Sequence, residues 1–305
     1  MNIERGEPMS ANSRPDLKGV IPAIITSMDE TGRVEYDLLE KQAAYLSDAG
    51  VHGFFIGGTT GEGAYLSTDE KREIFRVVRD VTQGRQLMCA AYIRSSTCMV
   101  LEEMKALETT EPDFIVAVTP YYMEMRQQDL VEHFEIIARE ASAPLVLYNI
   151  PGNTHNPMKL ETILGLSHEE NIAGIKDSSG DFMQFSRGLL GDTPNGFSWI
   201  QGEDYLDAAS LMLGCDGVVS GLCNARIEPY VEMWEAAQKR DWETMRSCQA
   251  RINRLYDIIR LCDTPIASIK AAVEISGRGS RWMRHLSQSL TDHQIHAIEE
   301  ILREF

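Results

Sequence analysis

The chain has 305 residues, 43% of them hydrophobic and 25% charged, which is enough apolar material for one large buried core and excludes a disordered chain. Twenty-nine lysines and arginines against 46 aspartates and glutamates give a formal net charge of -17, which excludes a basic surface for nucleic acid or anionic membranes. The six cysteines form no CxxC pair in a chain far larger than a disulfide-stapled domain, as expected of reduced cytoplasmic thiols.

Residues 1–16 carry charges and proline but no apolar segment of signal-peptide type, and read as a flexible, untargeted tail; no run in the chain reaches membrane-spanning length. From Gly19 onward, short apolar runs alternate with longer amphipathic stretches, the pattern of a parallel sheet connected by helices. The runs fall at 20–26, 53–57, 86–92, 114–118, 145–148, 172–176, 198–201 and 217–220. Helical spacing occupies 36–48, 68–81, 97–107 and 128–141 between them, and Ser67 with Glu70 forms a capping box at the start of the second. Eight such runs predict a TIM (β/α)8 barrel over 17–240. The helical stretches at 228–240, 242–261, 265–276 and 291–303 are more than barrel closure needs, and predict a C-terminal helical extension over 241–305.

The active site of a TIM barrel lies at the C-terminal ends of its strands, so reactive residues should terminate the apolar runs. The second run ends in Gly57-Gly58-Thr59-Thr60-Gly61-Glu62. Its glycines let backbone N–H groups converge on an anion, and the hydroxyls of Thr59 and Thr60 add donors for a carboxylate. A plain βα turn uses the same residues, and no GK[ST] follows to make a nucleotide loop. Tyr122 follows the fourth run and Tyr148 ends the fifth; these phenols suit a proton relay with Thr59, or rest, buried, on a backbone carbonyl.

The sixth run ends in Lys176, one of eight lysines and unlike most of the others, which sit among charged neighbours. A lysine there points its amine into the barrel mouth, and a desolvated site favours the neutral amine that attacks a carbonyl to give an imine. A structural ion pair with Asp177 is the other reading. Lys270, within the apolar helical stretch 266–273, reads as a packing or capping lysine. The seven histidines form no HExxH and read as surface residues, and no GxGxxG follows the first run. Neither a metal nor a cofactor is expected.

Taken in order, these motifs resemble the dihydrodipicolinate synthase and N-acetylneuraminate lyase superfamily of pyruvate-dependent class I aldolases, from about Gly19 to the C-terminus. The matching pieces are Ala23-Ile24-Ile25-Thr26 with Met28-Asp29-Glu30, Gly58-Thr59-Thr60-Gly61-Glu62, Val118-Thr119-Pro120-Tyr121-Tyr122, Leu147-Tyr148-Asn149-Ile150-Pro151 and Gly174-Ile175-Lys176-Asp177. The resemblance implies that Lys176 forms an imine with a 2-oxo acid such as pyruvate, that Tyr148 shuttles protons to and from it, and that Thr59 and Tyr122 complete the relay. It implies that Tyr122 is lent across a subunit interface, hence a homo-oligomer, a tetramer or dimer. Thr60, Gly202 and Val219 would line the 2-oxo acid end, largely through backbone groups, beside the Gly61 turn.

Two positions depart from dihydrodipicolinate synthase. Five residues beyond the motif tyrosine that enzyme carries an arginine which grips the semialdehyde carboxylate; here the position is Asn153, a neutral amide without the bidentate charged contact. Where a serine often follows GTTGE, this chain has Gly63. The segment Lys176-Asp177-Ser178-Ser179-Gly180-Asp181 looks more like the 2-keto-3-deoxy sugar acid aldolases. The expected reaction is therefore cofactor-free, reversible cleavage of such an acid to pyruvate and an aldehyde, with Asn153, His155, Ser178 and Asp204 hydrogen-bonding sugar hydroxyls. The alternatives are the synthase itself with Arg94 as the replacement cation, N-acetylneuraminate lyase, an imine-using dehydratase or hydratase-aldolase, and a catalytically silent 2-oxo acid sensor.

Overall fold

Val-, Ile-, Leu- and Phe-rich runs buried on both faces form parallel strands only when helices cover the sheet, and the computed structural model shows that arrangement for the residues it describes, 15–284 and 290–305. The expected tail falls outside the described residues as far as residue 14. The strands are β1 (Gly19–Val20), β2 (Gly53–Ile56), β3 (Leu87–Tyr92), β4 (Phe114–Val118), β5 (Leu145–Asn149), β6 (Ile172–Asp177), β7 (Ser198–Gln201) and β8 (Gly217–Val218). All neighbours run parallel, in the order β1-β8-β7-β6-β5-β4-β3-β2. Backbone bonds from His52 N to the Val20 carbonyl and from Phe55 N to the Pro22 carbonyl, both 2.9 Å, close the ring between β1 and β2. The fold is the TIM barrel expected from the sequence.

The first and last strands are shorter than their apolar runs. Pro22 has no N–H to give a neighbour, so the regular ladder of β1 stops before it, although Ile21 and Ala23 still donate to the Val218 and Ser220 carbonyls. Helices α1 (Tyr36–Asp48), α2 (Thr68–Thr82), α3 (Thr97–Ala106), α4 (Gln127–Glu140), α5 (Pro151–Thr154), α6 (Leu160–Leu166), α7 (Phe182–Leu189) and α8 (Asp207–Met212) connect successive strands. After β8 come α9 (Glu228–Gln238), α10 (Trp242–Leu255) with 3-10 turns over Tyr256–Leu261, α11 (Pro265–Ile275) and α12 (Asp292–Leu302). The capping box at α2 is present: Glu70 N donates to Ser67 Oγ at 3.2 Å and Ser67 N to Glu70 Oε2 at 2.8 Å. Among the described residues no helix is long and apolar enough to cross a membrane.

Alternation along the strands sorts side chains into two layers. Ile21, Phe55, Cys89, Val116, Val146 and Ile200 belong to a compact inner cluster, while Phe54, Ile56, Ile115 and Leu147 join the layer between sheet and helices. In β6 the alternation is interrupted. Ala173 belongs to the inner cluster and Ile175 to the outer, and the pairing with β5 jumps from Leu145↔Ile172 to Val146↔Gly174. This bulge resets the phase, so that Lys176 pairs in register with the inward Tyr148. Only glycine fits at 174, where a Cβ would lie 2.4 Å from the Ser198 carbonyl oxygen.

The expectation of surface histidines is wrong at two positions. His52 is half-buried, with its ring 5.3 Å from that of Trp234. His133 lies on the same face of α4 as Leu130, Phe134 and Ile137 and is buried with them, its Nδ1 2.8 Å from Thr97 Oγ1. Burial lowers its pKa from the ordinary 6.5 to about 4. The fold therefore refuses a proton that the unfolded chain accepts. The stability from the neutral ring is complete above pH 6.5, begins to fall as pH drops through 6.5, and is exhausted below about pH 4. Between pH 7.5 and 5 this group should cost about 2 kcal/mol. Denaturant titrations of the wild type and His133→Gln should show the smaller loss in the variant; equal losses would rule out His133 as the source.

Candidate active site

Lys176 is the penultimate residue of β6 and is 6% exposed. Its Nζ lies 4.0 Å from the ring centroid of Tyr148 and 4.6 Å from that of Phe55, so two aromatic walls flank the amine. Asp177 faces the other way, its Oδ1 accepting from Ser179 N at 2.7 Å, and burial raises its carboxyl pKa. An ion pair between these neighbours is thus not what holds Lys176. The α-carbon of Gly202 packs on the lysine stem, since a Cβ there would lie 2.9 Å from Lys176 Cε.

Tyr148 is buried, and its hydroxyl lies 3.3 Å from Thr59 Oγ1. Its ring meets Phe55 edge to face, with centroids 5.7 Å apart. Lysine, tyrosine and threonine therefore stand together at the ends of β6, β5 and β2, as the sequence led us to expect. Phe55 was missed, although its alternate position in β2, two residues before Gly57, marks it as inward.

The loop after β2 is held from several sides. Thr26 Oγ1 donates to the Gly61 carbonyl at 2.8 Å, and Gly63 N to the Gly58 carbonyl at 3.0 Å. Glu62 has φ of 56° and a buried carboxylate that accepts from Lys270 Nζ at 2.7 Å and from Arg284 N at 2.9 Å. Gly63 is required by this turn, because a Cβ would lie 1.6 Å from the Gly57 carbonyl oxygen. A serine does not fit there. Gly221 likewise leaves room for Thr60, whose Oγ1 would lie 2.3 Å from a Cβ at that position. Among the described residues, the N–H groups of Thr59, Thr60 and Gly61 make no hydrogen bond to a protein acceptor. Val219 belongs to the inner cluster with Tyr148 and Phe55.

Two expectations, those for Asp204 and Arg94, need correction. Asp204 does not present its carboxylate for substrate hydroxyls. It is 9% exposed, and its Oδ1 accepts from both Ser220 Oγ and Tyr230 OH, a brace under the mouth of the barrel. Ser178 is half-buried and donates its hydroxyl to the Gly202 carbonyl at 3.2 Å. Arg94 is not a free cation: its Nε and Nη2 grip Glu103 at 3.0 and 2.8 Å, and Lys71 holds the same carboxylate at 2.7 Å. Asn153 and His155, by contrast, are exposed beyond β5. Tyr122 stands apart from the cluster, 92% exposed at a φ of 79°. Among the described residues no group of three or more His, Cys, Asp or Glu is placed to hold a metal ion.

An eight-stranded parallel barrel with a strand-end lysine amine between aromatic walls, beside paired hydroxyls, defines a class I lyase, in which a lysine takes a carbonyl substrate as a Schiff base. The chain belongs to the dihydrodipicolinate synthetase family, whose model matches residues 16–304. The 4-hydroxy-tetrahydrodipicolinate synthase of Methanospirillum hungatei is 32% identical, over 95% of this chain and 99% of its own length. The protein of the same name from Methanopyrus kandleri is 35% identical, over 87% and 88%. The solved chloride-inhibited dihydrodipicolinate synthase of Acinetobacter baumannii, complexed with pyruvate, is 28% identical with a TM-score of 0.87, over 94% of this chain and 98% of its own.

Proposed function

We propose that the chain takes pyruvate as an imine on Lys176 and joins it to, or releases from it, an aldehyde. The observation that carries this is the Lys176 amine lying over the Tyr148 ring while the Tyr148 hydroxyl reaches Thr59. The amine attacks the ketone carbon, and its protons leave through the phenol as water departs from the carbinolamine. In release, the protonated imine accepts the electron pair of the breaking carbon–carbon bond as the aldehyde departs, and Tyr148 reprotonates the enamine. In joining, the pyruvate methyl loses a proton to give the enamine, whose carbon attacks the aldehyde carbon while the aldehyde oxygen takes up a proton. The N–H groups of Thr59, Thr60 and Gly61 would hold the pyruvate carboxylate, with Gly202 and Val219 closing that end. Tyr122, exposed in one chain, would complete the relay in a second copy, which supports a homo-oligomer.

For the acceptor, the relatives' names favour the synthase reading over the sugar-acid expectation, with aspartate semialdehyde joined to pyruvate. A second reading keeps the 2-keto-3-deoxy sugar acid. It is favoured by one observation, the neutral Asn153 in an exposed position while Arg94 is committed to Glu103. Steady-state assays pairing pyruvate with aspartate semialdehyde, glyceraldehyde, glycolaldehyde or N-acetylmannosamine separate the two. Turnover at least about tenfold higher with the semialdehyde supports the synthase; the reverse order supports the uncharged acceptor. Turnover with none of the four overturns the aldol reaction. A single charged contact is worth roughly 1.5–3 kcal/mol, so Asn153→Arg should lower KM for the semialdehyde by about tenfold or more.

A further inference from the structure

The segment between β4 and α4 carries Tyr122 and has no ladder of its own. Tyr122 sits at a φ of 79°, a left-handed conformation that costs a non-glycine residue on the order of 1–3 kcal/mol and persists only when neighbours over-determine it. The contacts that bracket it come from one side chain in the next βα loop. Asn156 is 3% exposed; its Nδ2 donates to the Pro120 and Met123 carbonyls, both at 2.8 Å, and its Oδ1 accepts from Met125 N at 2.8 Å. Three backbone groups, one before and two after Tyr122, are thereby fixed to a side chain 36, 33 and 31 residues away. Two donors and an adjacent acceptor in one plane are what an amide supplies and a carboxylate or an alkyl group does not. Thr119 Oγ1, donating to Thr154 Oγ1 at 2.9 Å, ties the root of the segment to the same loop.

We infer that Asn156 is the positioning residue for Tyr122: its amide holds the strained backbone that projects the phenol away from its own barrel. The inference rests on the proposed relay role of Tyr122. Among the described residues Asn156 makes no hydrogen bond to Lys176, and it would act only through the conformation of 120–125.

The test uses the full chain as wild type, Asn156→Ala, Asn156→Asp, Tyr122→Phe and the Tyr122→Phe/Asn156→Ala double variant. Hydrogen–deuterium exchange of the 119–126 peptide reads the loop, and the rate of borohydride-trapped pyruvate addition to Lys176 reads the relay. Loss of two or three hydrogen bonds should speed exchange of the segment about tenfold and slow imine formation about tenfold. Tyr122→Phe should slow imine formation about a hundredfold, with the double variant within about twofold of Tyr122→Phe alone, because Asn156 has nothing left to position. Asn156→Asp, which keeps the size and the acceptor for Met125, gives the same pattern should the alanine variant fail to fold. Unchanged exchange, or a double variant slowed by the product of the two single effects, overturns the inference. An unaltered rate in Tyr122→Phe also overturns it while leaving the Lys176 imine in place. Should the wild type take up no pyruvate, the proposed function fails instead, and exchange alone decides whether Asn156 holds the loop.

Discussion

Replacing Lys176 with alanine is expected to abolish covalent capture of pyruvate and to lower turnover by about four orders of magnitude, the scale of losing a covalent nucleophile. With borohydride and pyruvate, mass spectrometry should find one reduced pyruvyl adduct on the wild type, at Lys176, and none on the variant. Among the described residues, the two other buried amines are already engaged. Lys71 and Lys270 are both buried and each is locked to a carboxylate at 2.7 Å, Glu103 and Glu62 respectively. The barrel itself should survive, because the lysine stem packs on a bare Gly202 and the site opens at the strand ends. An adduct of equal yield on Lys176→Ala would remove Lys176 from the mechanism.

Lys270→Met should cost about 3–5 kcal/mol, the price of leaving one partner of a buried pair uncompensated. Both side chains are essentially excluded from water, and Glu62 lies in a turn whose positive φ already works against it. Burial lowers the Lys270 amine pKa, and the neighbouring Glu62 carboxylate opposes that shift without reversing it. Its loss should be felt at Thr59, three residues earlier, as a weakened reach to Tyr148. In urea titrations the single variant should therefore unfold far earlier than wild type, and the Glu62→Gln/Lys270→Met double variant should recover part of the loss by removing the stranded charge. A single-variant cost below about 1 kcal/mol would show that the pair does not brace this loop.

The barrel was legible because each strand is a short apolar run and each connection an amphipathic one, and Thr59, Tyr148 and Lys176 were legible because they end those runs. What was not legible depended on partners remote in sequence. Asp204 reads as a solvated loop acid, and only Ser220 and Tyr230, 16 and 26 residues on, turn it into a buried brace. Arg94 reads as a free cation until Glu103 takes it, and His133 as a surface residue until α4 lays it against Thr97. The ladder of β1 ends at Pro22 because of a missing N–H, which composition does mark and apolar length overrides. The acceptor specificity is not written in any single motif, since Asn153 states only which contact is missing.

The bulge in β6 makes the chemistry depend on a count. From Ala173 to Lys176 the chain spends one residue more than simple alternation allows, and that odd residue decides which of two adjacent side chains enters the mouth. Straightening the bulge with every residue kept would leave all the residue types of the site in place and yet exchange Lys176 for Asp177, presenting an acid to pyruvate and driving an amine into the helix layer. Among homologues or redesigned barrels, the spacing between the start of this strand and its lysine is thus as diagnostic as the lysine itself.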